Sequence, residues 1–490
     1  MKYSTLEESP VAGLHPALFW KHFYEITRIP RASGNEKGVG DYLVSVAERL
    51  GLPHKRDEAG NVLISKPGTK GHENAGTVVL QSHQDMVCEK NKDVVFDFAK
   101  DPIKLIRDGD YIKADGTSLG ADNGAGIAAS LAVLESTDLE HPPIECLFTT
   151  DEETGMTGAK NMKSDFLKGK VLLNLDSEEE GDIYVGCAGG ADNVLALKVT
   201  KAELPAGTQC ADIKLSGLKG GHSGLDIHEG RGNAIKMLAR FLWNTADSLG
   251  LSLASFTGGS KRNAIPREAE VTVAVPEAKM AELEKEAAKW EKIFKEELYP
   301  LEDQMKLKVE KIGAVEKVLS KESASKLLDL IAVLPHGVLA MSRTLPNLVE
   351  TSTNVAIIRA EGDEILIDLS HRSSSASSLL SVSQRTESLA RLCNLGIKAG
   401  SGYPGWQPNM SSKVLNLSRE TYKELFGKDV HIKAIHAGLE CGLIGEKYPG
   451  MDMISFGPTL RNVHSPDEVI YYPSVEFFWK FLVHLLKKLA

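Results

Sequence analysis

Cysteine is scarce: six in 490 residues, at positions 88, 146, 187, 210, 393 and 441, with no Cys-x-x-Cys pair. That excludes a disulfide scaffold and reads as reduced, mostly buried thiols in a cytoplasmic protein. Long hydrophobic runs are missing as well. No stretch approaches 18 uninterrupted apolar residues, which argues against a membrane span, and the N-terminal MKYSTLEESPVAGLHP lacks the apolar core of a secretion signal. Basic charge is not in excess, since 57 Lys and Arg face 67 Asp and Glu for a formal net charge of -10. A general nucleic-acid binder, which needs a concentrated basic face, is therefore disfavoured. Glycine (44) and proline (20) are ordinary, and 42% apolar residues give ample core, so collagen-like and disordered chains are excluded. The length suits two or three domains.

The first segment alternates helical and strand patterns. HPALFWKHFYEITRI has apolar residues at helical spacing with Pro16 suited to a first turn, and EKGVGDYLVSVAERLGL repeats an amphipathic pattern. NVLISK, TVVLQSH, IECLFTT and VLLNLD are short β-type runs, and GAGIAASLAVLES reads as a buried small-residue helix. This is the order of an α/β domain with a mainly parallel sheet. From residue 190 to 404 the pattern changes. NVLALKVT, ADIKLSGL and NAIKMLARFLWNTADSL read as strand, strand, helix, and NVAIIRAEGDEILIDLS with SSLLSVSQRTESLARLCNLG repeat that order, suggesting a duplicated unit. Between them, EAKMAELEKEAAKWEKIFKEELYPLEDQMKLKVEKI reads as charged and helical, a solvated face. The last segment returns to the alternation of the first. It has a strand and short helix in DVHIKAIHAGLECGLIGEKYP, a strand in DMISFGP, and a terminal amphipathic helix VEFFWKFLVHLLKKLA.

Several polar groups sit where strands should end. TVVLQSHQDMV delivers His83, with Asp85 two residues on. A neutral imidazole there can bind a metal through one nitrogen while a carboxylate fixes the other. Taken alone, His-x-Asp is an ordinary polar turn. GADNGAG sets Asp122 among glycines before a helix, where a cap is the plain explanation. IECLFTT ends in Asp151-Glu152-Glu153 and VLLNLD in Asp176. Acidic groups at successive carboxyl ends fit the ligand-binding edge of an open α/β sheet. GADNGAG lacks the glycine spacing of a dinucleotide-binding turn.

Together SHQDMV, GADNGAG, DEETGMTGA, NLDSE, GLKGGHSG and GPTLRNVHSPDE resemble, in order, the motifs of the M20 metallopeptidase family. GGHSGLDIHEGRGNA and HAGLECG are most similar to its Xaa-His, or aminoacyl-histidine, dipeptidases. The resemblance implies two divalent ions per subunit, zinc first, with Mn²⁺ or Co²⁺ as chemically acceptable substitutes. His83 and Asp176 would hold one, Glu153 and His464 the other, and Asp122 would bridge them. Asp85 would orient His83, and Glu152 would be the general acid/base. His222, in GGHSG, would stabilise the oxyanion across a homodimer. Asn263, Arg372, Gly438 and Leu439 would bind substrate, with Arg372 and Asn263 on its terminal carboxylate. A strained backbone is expected at Asp122-Asn123, because one side chain serves both ions.

The expected protein is thus an α/β di-metal peptidase. Residues 1–189 and 405–490 would form a catalytic domain, interrupted by an inserted α/β lid and dimerisation domain at 190–404. It would be a cytoplasmic homodimer cleaving unblocked Xaa-His dipeptides, β-alanyl-histidine among them. The rival readings are a broader M20 metalloamidase, an N-acyl-amino-acid deacylase, and a non-enzymatic binding protein.

Overall fold

The computed structural model describes residues 5–400 and 402–490; the first four residues of the N-terminal segment and Ser401 lie outside it. The chain divides into two compact units. The first holds the described residues up to Gly186, with Trp406–Ala434 and Leu439–Ala490; the second holds Cys187–Gly405 and Ile435–Gly438. The second unit thus takes residues 187–189, Gly405 and Ile435–Gly438 from the segments expected to be wholly catalytic.

The first unit is built on an eight-stranded sheet in the order His54–Arg56, Val62–Lys66, Ile144–Thr149, Val78–His83, Val171–Asn174, Asp452–Ser455, Asp182–Cys187, His431–Ile435. Its four central strands are parallel. Val62–Lys66 adds antiparallel on one side and Asp182–Cys187 on the other. Val78–His83 and Ile144–Thr149 are buried at every residue, as strands covered on both faces must be. Helix Ala121–Glu135 packs against Val78–His83 and against helix Ala17–Thr27. Its small residues permit that closeness: a Cβ at Gly126 would come within 2.9 Å of both Leu175 O and Ser82 Cβ. Pro16 stands at the N-cap of its helix, in extended conformation, one position before the first turn. The terminal helix Tyr472–Leu489 buries Phe478, Phe481 and Leu485 and keeps Lys487 and Lys488 in its last turn, where they face the negative end of the helix dipole. Among the described residues no helix is long and apolar enough to cross a membrane.

The second unit is an antiparallel sheet in the order Lys306–Lys311, Thr208–Ser216, Ala269–Pro276, Ser252–Gly258, Val349–Glu361, Glu364–Ser373, Gly189–Lys198, Gly396–Ala399, with Gly337–Met341 beside Val349–Glu361. Its repeat is not strand, strand, helix, because Gly189–Lys198 and Thr208–Ser216 are not neighbours. Thr208–Ser216, helix Ala234–Leu249, Ser252–Gly258, Ala269–Pro276, helix Met280–Glu297 and Lys306–Lys311 run β-α-β-β-α-β. Gly189–Lys198, helix Lys321–Val333, Val349–Glu361, Glu364–Ser373, helix Ala376–Leu392 and Gly396–Ala399 keep the same order once the side strand Gly337–Met341 is set apart, with the first set nested inside. Each set gives the sheet order 4-1-3-2, and the two meet where Gly258 pairs with Ile358. The charged stretch expected to be helical throughout stops at Glu297, and Lys306–Lys311 is a strand. Pro300 cannot donate to a helix, and beyond it the apolar spacing changes to alternation at Leu307 and Val309.

Candidate active site

Three adjacent parallel strands of the first unit end at one cluster. Val78–His83 delivers His83 as its last residue. Ile144–Thr149 leads into Asp151, at φ 55°, and then Glu152 and Glu153. Val171–Asn174 leads to Asp176. Asp122 comes from the opening of helix Ala121–Glu135, where Asp122 and Asn123 leave helical geometry and their peptide is cis. His464, at φ 61°, comes from the loop after Leu460–Arg461.

Asp122 stands between the histidines: Oδ1 is 3.0 Å from His83 Nε2 and Oδ2 is 3.2 Å from His464 Nε2. His83 Nε2 also lies 3.2 Å from Asp176 Oδ1, and His464 Nε2 lies 3.0 Å from Glu153 Oε2. Each imidazole nitrogen therefore faces two carboxylates, and Asp122 is common to both sets. One N–H shared between two oxygens aligns well with neither, whereas a cation would suit the nitrogen and both oxygens as ligands. Glu153 Oε1 is buried without a hydrogen-bond partner among the described residues, which also fits a cation ligand. Atoms of His83, Asp122 and Glu153 lie within 4.8 Å of one another. These residues fit a metal centre.

The electrostatics agree. Burial opposes charge on His83, yet Asp176 and Asp122 raise its pKa well above the ordinary value. Hydrogen bonds to Asp122 and Glu153 raise His464 to about 11. Carboxylates that hold protons so firmly on imidazole provide the field that attracts a dication. Burial raises Asp176 to about 6. Burial also pushes Glu152 well above the usual range, opposed by His83 and reinforced by Asp176, Glu440 and Glu153. Burial and its acidic neighbours thus raise the proton affinity of this carboxyl, the property a proton-carrying group needs.

Asp85, expected to orient His83, contacts more than that ring. Its Oδ1 lies 3.3 Å from His83 Nδ1, an ion-pair distance without the alignment of a hydrogen bond. It also accepts the main-chain N–H of Glu152 at 3.0 Å and of Glu153 at 3.2 Å, and the Ser33 hydroxyl at 2.8 Å. Burial opposes its ionisation, but His83 and these donors hold it well below the usual carboxylate range. It fixes the turn that aims both glutamates.

The second unit gathers another polar group. The His222 segment bridges to Ala264, and Ser223 N–H donates to Asn263 O at 2.8 Å. His222 Nδ1 accepts the N–H groups of Gly224 and Leu225 at 3.2 and 3.0 Å, which leaves Nε2 as the protonated donor. Burial and the Arg372 charge lower His222 to about 4, so the ring is neutral. Gly224 separates them: a Cβ there would lie 3.1 Å from His222 Cε1, 3.2 Å from Arg372 Cδ and 2.2 Å from His436 O. Arg372 Nη1 donates to Tyr403 Oη at 2.8 Å, while its buried Nε has no partner among the described residues. His436, bonded to Ser352 Oγ at 2.7 Å, is lowered to about 3 by burial and the Arg372 charge. His436 opens the HAGLECG segment, of which the expected site takes only Gly438 and Leu439. Gly438 follows in this unit, and Leu439 opens the return to the first unit.

Three further residues of the first unit are not evident from the sequence. Glu440, fully buried, accepts from Gln81 Nε2 at 2.7 Å and Thr149 Oγ1 at 2.6 Å, and burial raises it to about 8. Arg31 and Glu468 grip the turn that carries Asp122. Signals exist in the Glu of HAGLECG and of SPDE, but the partners are remote in sequence.

Comparison with known proteins places this arrangement in a family. The description "Peptidase family M20/M25/M40" matches residues 79–488. The chain is 44% identical over 481 residues to the cytosol non-specific dipeptidase of Escherichia coli (strain K12), covering 98% of this chain and 99% of the relative. It is similar to the crystal structure of aminoacylhistidine dipeptidase from Vibrio alginolyticus, with a TM-score of 0.90, 43% identity, and coverage of 99% of this chain and 98% of that one. A tripeptidase structure from Staphylococcus aureus, at 18% identity, TM-score 0.56 and coverage of 97% and 99%, shares the fold. The chain therefore belongs to peptidase family M20/M25/M40 and is a metallopeptidase.

Proposed function

We propose that this peptidase hydrolyses unblocked dipeptides with two divalent ions, zinc by preference. The observation that carries the reading is Asp122 shared between His83 and His464, with a further carboxylate at each imidazole. His83 and Asp176 would hold one ion, Glu153 and His464 the other, with Asp122 between them. Nitrogen and oxygen ligands suit Zn²⁺, and the oxygen-rich set also admits Mn²⁺ or Co²⁺. When bound, such ions polarise the scissile carbonyl and lower the pKa of the attacking water.

The chain's own groups carry the proton. Glu152 takes it from the water at one carboxylate oxygen and returns it to the departing amine nitrogen. Asp85 keeps the Glu152 main chain and the His83 ring in register. His222, neutral and with Nε2–H free to donate, stabilises the oxyanion in the site of a second copy, and the active species is a homodimer. Arg372 and Asn263 take the terminal carboxylate, with main-chain contacts from Gly438 and Leu439. The Arg372 charge, which helps lower both His222 and His436, supports that assignment. The second unit would then act as lid and dimerisation domain. The reduced-thiol composition and the E. coli relative's name support a cytoplasmic site.

Histidine is proposed as the preferred second residue, supported by GGHSGLDIHEG and HAGLECG and by the Vibrio relative's name. A side-chain-tolerant dipeptidase is the second reading, favoured by the name of the E. coli relative. A substrate panel separates them: kcat/KM for alanyl-histidine, β-alanyl-histidine and alanyl-leucine, each free and amidated, at constant zinc. Histidine peptides should be cleaved best, and amidation should impair all three. Alanyl-leucine matching the histidine peptides would establish the tolerant reading. Unimpaired cleavage of amides would remove the carboxylate role of Arg372, and cleavage of N-acyl amino acids alone would shift the function to deacylation.

A further inference from the structure

Two oppositely charged side chains, drawn from distant parts of the sequence, close on the turn that carries Asp122. Arg31 is 3% exposed and Glu468 2% exposed. Glu468 Oε2 accepts the N–H groups of Leu119 and Gly120 at 2.7 and 2.8 Å, and Oε1 accepts those of Ala121 and Asp122 at 2.7 and 3.2 Å. Four successive amides thus converge on one carboxylate, the arrangement that a helix opening offers to an anion. Arg31 takes the other polarity: Nη1 donates to Gln84 O and Asp85 O at 3.0 and 2.6 Å, and Nη2 donates to Gly120 O. Gly120, at φ 70°, has to be glycine, because a Cβ would lie 2.6 Å from Arg31 Nη2.

Each partner belongs to a segment bearing a candidate ligand. Gln84 and Asp85 directly follow His83, the 119–122 turn ends in Asp122, and Glu468 lies four residues after His464. Removing either charged group would free those segments from one another, and would also leave the other charge buried without compensation.

We infer that Arg31 and Glu468 are positioning residues: together they set the spacing of His83, Asp122 and His464, and so the affinity for metal. This rests on the metal centre proposed above. Neither side chain touches substrate in that scheme, so their loss acts through the three ligands.

The test uses full-length Glu468→Gln and Arg31→Lys proteins, stripped of metal and titrated with Zn²⁺ against a chromogenic chelator. Measurements are made at a temperature where thermal unfolding shows the variant fully folded. Affinity should fall roughly 10–100-fold in each, while kcat at saturating Zn²⁺ moves back toward wild type. A folded variant with wild-type zinc affinity would overturn the inference. So would two variants that fold at no temperature, since both groups would then serve the fold as a whole. Asp122→Ala, titrated alongside, keeps the two claims apart: undiminished zinc binding there would defeat the metal centre itself, whatever the clamp variants do.

Discussion

Glu152 and Glu153 are consecutive, yet they face different tasks, and that divergence is testable one atom at a time. Glu153 Oε2 is directed at His464, whereas burial and its charged neighbours keep the Glu152 carboxyl well above its normal pKa. Glu152→Gln preserves size but removes the site that accepts the proton. Turnover should fall about 10²–10⁴-fold with zinc occupancy unchanged, checked by metal analysis of the same sample used for kinetics. Normal turnover would remove Glu152 from the proton route; lost zinc would make it a ligand instead. His83, Asp122 and Asp176 stand out because an apolar strand or a glycine-flanked turn stops at a polar group, but their reading as ligands comes from the resemblance to the M20 motifs. Arg31, Glu468 and Glu440 do not stand out. Arg31 and Glu468 partner main-chain atoms, Glu440 partners two side chains, and all lie tens to hundreds of residues away, so no periodicity announces them.

Elements place these residues, and the contact between two helices governs how firmly. Helix Ala17–Thr27 packs on helix Ala121–Glu135, whose first turn carries Asp122. At the far end His22, fully buried, contacts Tyr42 Oη at 3.1 Å and Glu135 Oε2 at 2.9 Å. Burial lowers His22 from 6.5 to about 4 despite Glu135. The depressed value means the folded state resists a proton that the unfolded chain accepts. Stability from this group is therefore complete above pH 6.5 and is lost as pH falls toward 4. The span corresponds to a few kcal/mol at most. Glu135 adds to the acid loss, since Arg49 and Lys21 outweigh its burial and hold it at about 2. In metal-free protein, the Tm of wild type should drop more steeply between pH 6.5 and 4 than that of His22→Gln. Parallel curves would show that His22 does not set the acid limit. The central strands and the long helices are readable because burial on both faces, or on one stripe, writes itself into the apolar pattern. The strand Lys306–Lys311 reads as helix because charge on its exposed face resembles the helix before it.

At the scale of the molecule the candidate site residues fall in both units. Every proposed metal ligand comes from the first unit, while His222, Asn263 and Arg372 come from the second. The nested β-α-β-β-α-β order is not readable from the sequence, because strand pairing depends on partners over 100 residues apart, as Gly189–Lys198 with Glu364–Ser373. The proposal that His222 of one copy serves the site of another has a direct consequence. Glu152→Gln should be inactive for want of a base, and His222→Ala for want of an oxyanion donor. When the two are mixed under subunit exchange, one of the two sites in each heterodimer receives intact Glu152 and intact His222. Random exchange makes half the dimers mixed, so activity should recover to about a quarter of wild type. Confirmed heterodimers without recovery would mean that His222 works within its own chain, and a fully active His222→Ala protein would place it outside catalysis. Recovery would require that the donor come from a second copy, because no other pairing brings the two intact residues together.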